Sequence, residues 1–396
     1  MPVCADILAE RIAAAGPISF RDFMEIALYE SKTGYYVARA EIGAGGDFVT
    51  APTISPLFAR AVARVFAADA AAFEGPLVFL EAAAAGGVFL RDFRRALAEI
   101  DPAVSARTRL WALERSERGR EGIAEAGAAE RIFSEVSQIP RGSISGWVFS
   151  NELYDALPVH RVKRIGGELL ELWVDLARGG ATVKAGRVAR GETPVAARDA
   201  GVAKSSGLRR AGQRVESRDR TRPAEPNEAT EARFAWTSRP APPELSAYLA
   251  RFGVELAEGQ IAEINLEAGP LHRALCGSIR AGRIVSFDYG HPAPVLYHPH
   301  ARTFGTLAVH SRGRRGGDPL ERPGLVDLTA HVNWDDLRAA GEAEGFESAK
   351  IRRLAFFLSE AGLFEDASRD RIAALRLLDP EGLGDALSVL TQSKGV

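Results

Sequence analysis

The chain has 396 residues, 26% of them charged, with a formal net charge of −2, so no overall field draws it to nucleic acid or to an anionic membrane. Its two cysteines, Cys4 and Cys276, exclude a disulfide framework and a thiolate metal cage. No stretch reaches the length of a membrane span, and the first residues lack a basic start followed by an apolar run. These features together predict a cytoplasmic enzyme-sized protein.

The chain opens with two helices. Ile7–Ala15 has apolar residues at helical spacing and stops at Gly16-Pro17. Ser19 reads as the cap of a second helix with Phe20, Phe23, Met24 and Ala27 or Leu28 on one face. Ile42–Phe58 is rich in glycine and then in proline, a structured loop entering a helix near Ser55. From Pro76 the pattern becomes strand–helix alternation. Leu77–Glu81 suits a buried strand, Val88–Ile100 an amphipathic helix, and Arg109–Leu113 a second strand ending at Glu114. A helix over Arg118–Ala126, a strand near Arg131–Val136 and an apolar run at Trp147–Ser150 follow. The implied fold is α/β with a parallel sheet and right-handed crossovers.

After a β-ribbon over Glu168–Asp175 the periodicity disappears. Lys184–Arg239 holds 13 basic residues against 7 acidic ones and little apolar surface, so a disordered insertion is expected over 184–239. Its basic excess fits a solvated linker better than a nucleic-acid surface. Order returns with the helix Pro242–Arg251, the strand Arg283–Phe287 before Asp288, and the helix within Asp327–Ala340; Lys350–Leu375 alternates short pieces. The expected organisation is a helical and loop region over 1–75, then a core formed by 76–183 and 240–396.

Ligands of such sheets bind beyond the carboxyl ends of the strands. Three segments lie there. Glu81–Gly87 (EAAAAGG) is the first strand-to-helix turn, where glycines adopt special backbone angles and let a ligand approach; alone, it reads better as an alanine-rich helix start than as a ligand loop. Glu114 suits the hydroxyls of a ribose, or is a solvated charge in ERSERGRE. Asn151–His160 (NELYDALPVH) presents Asn151, whose carbonyl can accept from an amine, and Glu152 and Asp155, which can hold a guanidinium. The competing reading is a capped helix start. His298, His300 and His331 match no usual metal spacing and read as loop or packing residues.

The ordered blocks GPISFRDFMEIALYESKTGYY, GDFVTAPTISPLF, SNELYDALPVH, EINLEA, FDYG, YHPHARTFGTL and DLTAHVNWDDL resemble the MidA-type family of class I S-adenosyl-L-methionine (SAM)-dependent methyltransferases. The resemblance implies a Rossmann-like methyltransferase sheet with an N-terminal helical lead-in and inserted elements. It also implies SAM as cofactor, methyl transfer to a protein nitrogen such as arginine, and a protein substrate or assembly partner. Gly46, Asp47, Thr50, Glu81, Ala83, Ala85, Gly87 and Glu114 fall at the cofactor positions, and Asn151, Glu152 and Asp155 at the catalytic ones. The sequence departs from the family pattern E-x-G-x-G-x-G at Ala83 and Ala85, and an alanine forced into a left-handed backbone costs about 1–2 kcal/mol. Two functions follow: a working methyltransferase, or an inactive relative that serves as a binding or assembly factor.

Overall fold

A computed structural model describes residues 3–38, 50–177, 233–311, 314–380 and 382–396. The lead-in helices are α1 (Cys4–Ala15) and α2 (Phe20–Tyr29), the second capped by the Ser19 hydroxyl as its sequence predicts. Helix α3 (Pro56–Ala70) starts with proline at its first position, where no N–H is needed. The chain then lays down β1 (Leu77–Ala82), α4 (Val88–Ile100), β2 (Thr108–Leu113), α5 (Glu117–Glu125), β3 (Arg131–Phe133) and β4 (Ile144–Asn151). A second set follows: β5 (His160–Ile165), β6 (Glu168–Leu176), β7 (Phe234–Pro240), α6 (Pro243–Arg251), β8 (Ile261–Ile264), α7 (Ala268–Ser278) and β9 (Ile279–His291). The last elements are β10 (Ala308–Ser311), β11 (Asp327–Thr329), α8 (Trp334–Glu342), α9 (Leu354–Glu360) and β12 (Leu387–Lys394).

The main sheet runs β12-β9-β4-β1-β2-β3, with the short strand Glu347–Ser348 beyond β12. Its pairs are parallel except for β12, which is antiparallel to β9. From β1 the chain moves outward through β2 and β3, then crosses back to place β4 on the other side of β1. That reversal is the switch point at which such sheets bind ligands.

Both faces of the sheet are covered, so β1 is buried along its whole length. The two-residue period of the strand sends Leu77 and Phe79 to one side, against Phe58, Phe66, Phe89, Phe93, Trp147 and Phe149. Phe89 stacks on Phe149 with centroids 4.3 Å apart and planes within 3°. Val78, Leu80 and Ala82 face Trp111, Val148 and Leu275 on the other side. Three strands approach closely at one level. A Cβ on Gly146 (φ +132°) would stand 2.3 Å from the Val78 carbonyl oxygen, and one on Gly282 (φ +141°) 1.8 Å from that of Gly146.

The second sheet is antiparallel, β6-β5-β8, with β7 on the other side of β6 and Ile18–Ser19 extending one edge. The N-terminal helices pack on it through Phe20, Phe23, Met24, Val174 and Phe234. Strand β7 corrects the expected insertion. Phe234–Arg239 falls within the expected disordered span because Gly, Ala, Arg, Ser, Pro and Glu dominate 184–239 as a whole, yet Phe234 and Trp236 alternate onto the core, and Trp236 packs on Phe20 at 5.1 Å. The remainder of that segment, 184–232, lies outside the described residues. Among the described residues no helix is long and apolar enough to cross a membrane.

Gly146→Ala forces a methyl into backbone atoms of β1. The variant is expected to lose about 1–3 kcal/mol or more of stability, read as a lower urea midpoint with an unchanged slope.

Candidate functional site

The turn after β1 is held by the neighbouring strand. The N–H groups of Ala83 and Ala84 both donate to the Leu113 carbonyl, at 2.9 and 3.3 Å, and the Gly87 N–H donates to Ala84 at 2.8 Å. Ala83 (φ +60°) and Ala85 (φ +45°) both occupy the left-handed region, as does Gly87 (φ +75°) where α4 begins. Both alanines therefore hold a backbone conformation that ordinarily favours glycine. Glu114 secures it: one oxygen accepts from the Ala85 N–H at 2.8 Å, the other from the Ser116 N–H and hydroxyl at 2.8 and 2.7 Å. A Cβ on Gly119 would stand 2.7 Å from the Glu114 Cγ and 2.8 Å from the Ala85 carbonyl, so the start of α5 must pass without a side chain.

Glu81 lies within β1 just before this turn and is buried. Its Oε2 has no hydrogen-bond partner among the described residues, and burial, with the Glu114 charge adding, pushes its carboxyl well above the usual range. An orphaned buried oxygen beside a left-handed turn fits a ligand that brings a polar hydrogen, and in that respect the residues present fit a nucleoside cofactor. Glu114 sits where the sequence placed it, but its carboxylate binds its own loop.

Thr50 caps the turn Ala51–Ile54, its N–H donating to the Thr53 hydroxyl at 3.0 Å. The turn reaches the end of β4, where the Ala51 N–H hydrogen-bonds Glu152, and it also packs against α4, the helix that leaves the β1 turn, in the same core cluster as Ala84. Gly46 and Asp47 lie outside the described residues.

The end of β4 carries the second half of the site. Asn151 donates its amide N–H to Glu152 Oε1 at 3.0 Å, while its own Oδ1 is buried and has no partner among the described residues. Glu152 turns the chain with φ +51°, and its N–H donates to the Phe287 carbonyl of β9 at 2.8 Å. This sharp turn replaces the capped helix start that the sequence also allowed. It sends Tyr154 inward, where its hydroxyl bonds His272 Nδ1 at 2.8 Å; the other His272 nitrogen lies 2.6 Å from Gln392 Oε1 on β12. Burial holds His272 down to about 4, so it is neutral. With Nε2–H donating to the amide oxygen, Nδ1 is left to accept from Tyr154.

Four carboxyl groups converge behind this turn: Glu152, Asp155, Asp288 and Asp327. Asp155, Asp288 and Asp327 are buried, whereas Glu152 keeps some exposure. Burial raises Glu152 to about 8, opposed by the Asn151 hydrogen bond and reinforced by Asp288 and Asp327. Asp155 is driven well up by burial and then by Asp288, Glu152 and Asp327. Asp288 reaches about 7 because the N–H groups of Tyr154 and Tyr289, each at 2.8 Å, partly offset its burial. The Tyr36 hydroxyl donates to Asp327 at 2.7 Å, and Tyr36 stacks on Tyr29 at 5.4 Å, so the N-terminal region walls the cluster. Asp288, Asp327 and Tyr36 were not singled out from the sequence, although FDYG closes a predicted strand.

The histidines form no such group. His298 accepts from the His300 and Ala301 N–H groups in a turn, while His331 packs near His291 with ring centroids 5.5 Å apart.

Residues 57–352 match a family model described as an S-adenosyl-L-methionine-dependent methyltransferase. The chain is 25% identical over 364 residues to the mitochondrial protein arginine methyltransferase NDUFAF7 of Danio rerio, covering 84% of this chain and 70% of the relative. It is 24% identical over 366 residues to the Drosophila melanogaster homologue, with 85% and 70% covered. A crystal structure from Burkholderia thailandensis, bound to S-adenosyl-homocysteine, superposes with TM-score 0.77 at 27% identity, covering 99% of this chain and 92% of that one. The cytoplasmic location expected from the sequence is overturned by these names, because the relatives are mitochondrial proteins; composition and the first residues carry no sufficient signal of compartment. The chain belongs to the MidA-type family of SAM-dependent methyltransferases, on a class I, Rossmann-like sheet.

Proposed function

We propose that the protein transfers a methyl group from SAM to a nitrogen of a protein substrate, with an arginine guanidinium as the acceptor. The observation that carries this reading is Asn151 Oδ1, a buried acceptor at the switch point with no partner among the described residues, beside a cluster of carboxyl groups. Glu81 and Glu114 would hold the cofactor beside the β1 turn. When bound, SAM supplies a methyl group on a positively charged sulfur, so the acceptor needs alignment more than activation.

Asn151 accepts one N–H of the guanidinium and aims its nitrogen at the switch point. Glu152 and Asp155 meet the remaining N–H groups through charge-assisted hydrogen bonds. A cation entering the cluster lowers the raised carboxyl affinities and ionises them, and the Glu152 carboxylate then accepts the proton that the methylated nitrogen releases. Tyr29 and Tyr36 exclude water from one side. The similarity to the Danio rerio and Drosophila melanogaster arginine methyltransferases supports the choice of acceptor.

A second reading, an inactive binding or assembly factor, is favoured by Ala83 and Ala85, whose methyl groups stand in a left-handed turn, and by Glu114, whose two oxygens are already engaged. Calorimetry with SAM separates the two. Micromolar binding by the unaltered protein supports the enzyme; no heat at millimolar SAM, with binding restored in Ala83→Gly/Ala85→Gly, supports the second reading. Each glycine substitution is also expected to raise stability by about 0.5–1 kcal/mol, the left-handed penalty of alanine less the extra chain entropy of glycine.

With an arginine peptide and SAM, Asn151→Ala is expected to lower kcat/KM by about 10- to 100-fold, the cost of one buried hydrogen bond. Asp155→Ala methylating at the unaltered rate would overturn the roles assigned here.

Stability should also depend on pH. The cluster carboxyls have folded affinities raised above their unfolded values, so their contribution is full below the usual carboxylate range and is lost as pH rises through about 7 to 8. The thermal midpoint without substrate is expected to fall between pH 5.5 and 8.5, and Asp155→Asn should flatten that slope.

A further inference from the structure

The carboxyl end of β9 borders a second concavity that the carboxylate cluster does not use. A cavity of about 210 Å³ opens between His291, Trp334 at the start of α8, and Arg352, Arg353 and Ser388 at the β12 edge. Among the described residues no acidic side chain lines it. Trp334 is 0% exposed, yet its indole N–H has no acceptor among the described residues. A buried donor of this kind is rarely left unpaired. Gly290 lets the indole sit against bare backbone at the cavity edge, since a Cβ there would stand 2.5 Å from the Val332 carbonyl oxygen and 2.8 Å from the indole nitrogen.

The polar wall consists of donors. Arg353 pairs with Asp385 at 3.3 Å and reaches the Ser388 hydroxyl at 3.4 Å; Arg352 pairs with Glu360. Neither of those acids faces the cavity. His291 Nε2 accepts from Arg302 at 2.9 Å, and burial with the nearby arginines holds His291 to about 4, so the ring is neutral with its proton on Nδ1. A guanidinium, a hydroxyl and an unpaired indole N–H around a small volume suit an oxyanion and offer little to a cation.

We infer that this cavity is a binding subsite for a small oxyanion, a carboxylate or phosphate-class group, held by the Trp334 indole N–H and the Arg353 guanidinium. The oxyanion comes from one of two sources, a free ion or an acidic side chain of a bound polypeptide. The second would place an anion near the carboxylate cluster, because the rings of Tyr289, His331 and His291 follow one another at 6.4 and 5.5 Å between the two sites.

The test uses the full chain labelled with ¹⁵N and follows the indole N–H resonances. Trp334 is assigned as the signal missing from Trp334→Phe or, if that variant does not fold, by its contact with the Gly290 α-hydrogens. Sodium phosphate, an arginine peptide with a neighbouring aspartate, and the same peptide with asparagine are titrated at constant ionic strength. The Trp334 signal should shift saturably with phosphate or the aspartate peptide and stay still with the asparagine peptide. Arg353→Gln, a change at an exposed residue, should weaken that response about tenfold. Saturation by phosphate identifies a free ion; preference for the aspartate peptide identifies a polypeptide carboxylate. No saturable shift with either probe, or an unchanged affinity in Arg353→Gln, overturns the inference. No SAM is used, so a failure of methyl transfer leaves this result standing, and the reverse also holds.

Discussion

The register of β4 between β1 and β9 is the constraint on which the rest of the site depends. Gly146 lies opposite Val78 on one side and Gly282 on the other, and neither glycine can carry a side chain where the backbones approach. That level fixes what emerges at the carboxyl ends: Ala82 beside Ser150, and Asn151 beside Phe287. A one-residue slip would turn every alternate side chain to the opposite face. The Phe79 and Phe149 side would then exchange with the Leu80 and Val148 side, and Asn151 would no longer reach the switch point. Aromatic packing on one face and aliphatic packing on the other make this register the only one that fills both layers.

Backbone strain gathers at the same edge. Ala83, Ala85 and Glu152 are the non-glycine residues with positive φ among the described residues, and all three lie just past β1 or β4. Such conformations cost about 1–3 kcal/mol each and persist where the surroundings over-determine them. Here the determinants are visible. Leu113 and Glu114 hold the first turn, while the Phe287 carbonyl holds the second. The strained turns and the raised carboxyl groups occupy one end of the sheet, supported by a core that is otherwise ordinary. That distribution is expected of a site whose geometry is maintained at the expense of local stability.

Much of this was legible in the sequence because the signals were local. The apolar run Leu77–Glu81, the acid at Glu114 and the block NELYDALPVH each announce themselves within ten residues. The cluster does not. Asp155, Asp288 and Asp327 are separated by more than a hundred residues in one case and by dozens in the other, and no periodicity links them. Their raised affinities arise from burial that only the tertiary fold supplies. Strand β7 was hidden by its composition, since two aromatic residues set among Ala, Thr, Ser and Arg carry too little apolar signal to outweigh a long polar segment. Strand β12 was missed for a related reason: Leu387–Lys394 is half polar, and its Ser388 and Gln392 become buried through specific partners rather than through hydrophobicity.

The β1 turn shows why a degenerate motif and a degenerate structure are different things. Read as letters, Ala83 and Ala85 stand where the sequence resemblance leads one to expect glycine. In the folded chain both adopt the left-handed backbone that glycine would take, so the path of the turn is kept. Two opposed terms explain how that is tolerated. Alanine pays about 1–2 kcal/mol for a left-handed conformation, but it also removes about 0.4–1 kcal/mol of unfolded-chain entropy that glycine would have to lose. The net penalty is small against the hydrogen bonds from Ala83 and Ala84 to Leu113 and from Ala85 to Glu114. What alanine changes is therefore less the shape of the turn than its surface, to which it adds two methyl groups. Glu114 is the hinge of that difference: the carboxylate that steadies the alanine turn is the one we propose for the cofactor, and its hydrogen bond to Ala85 would compete with that second role.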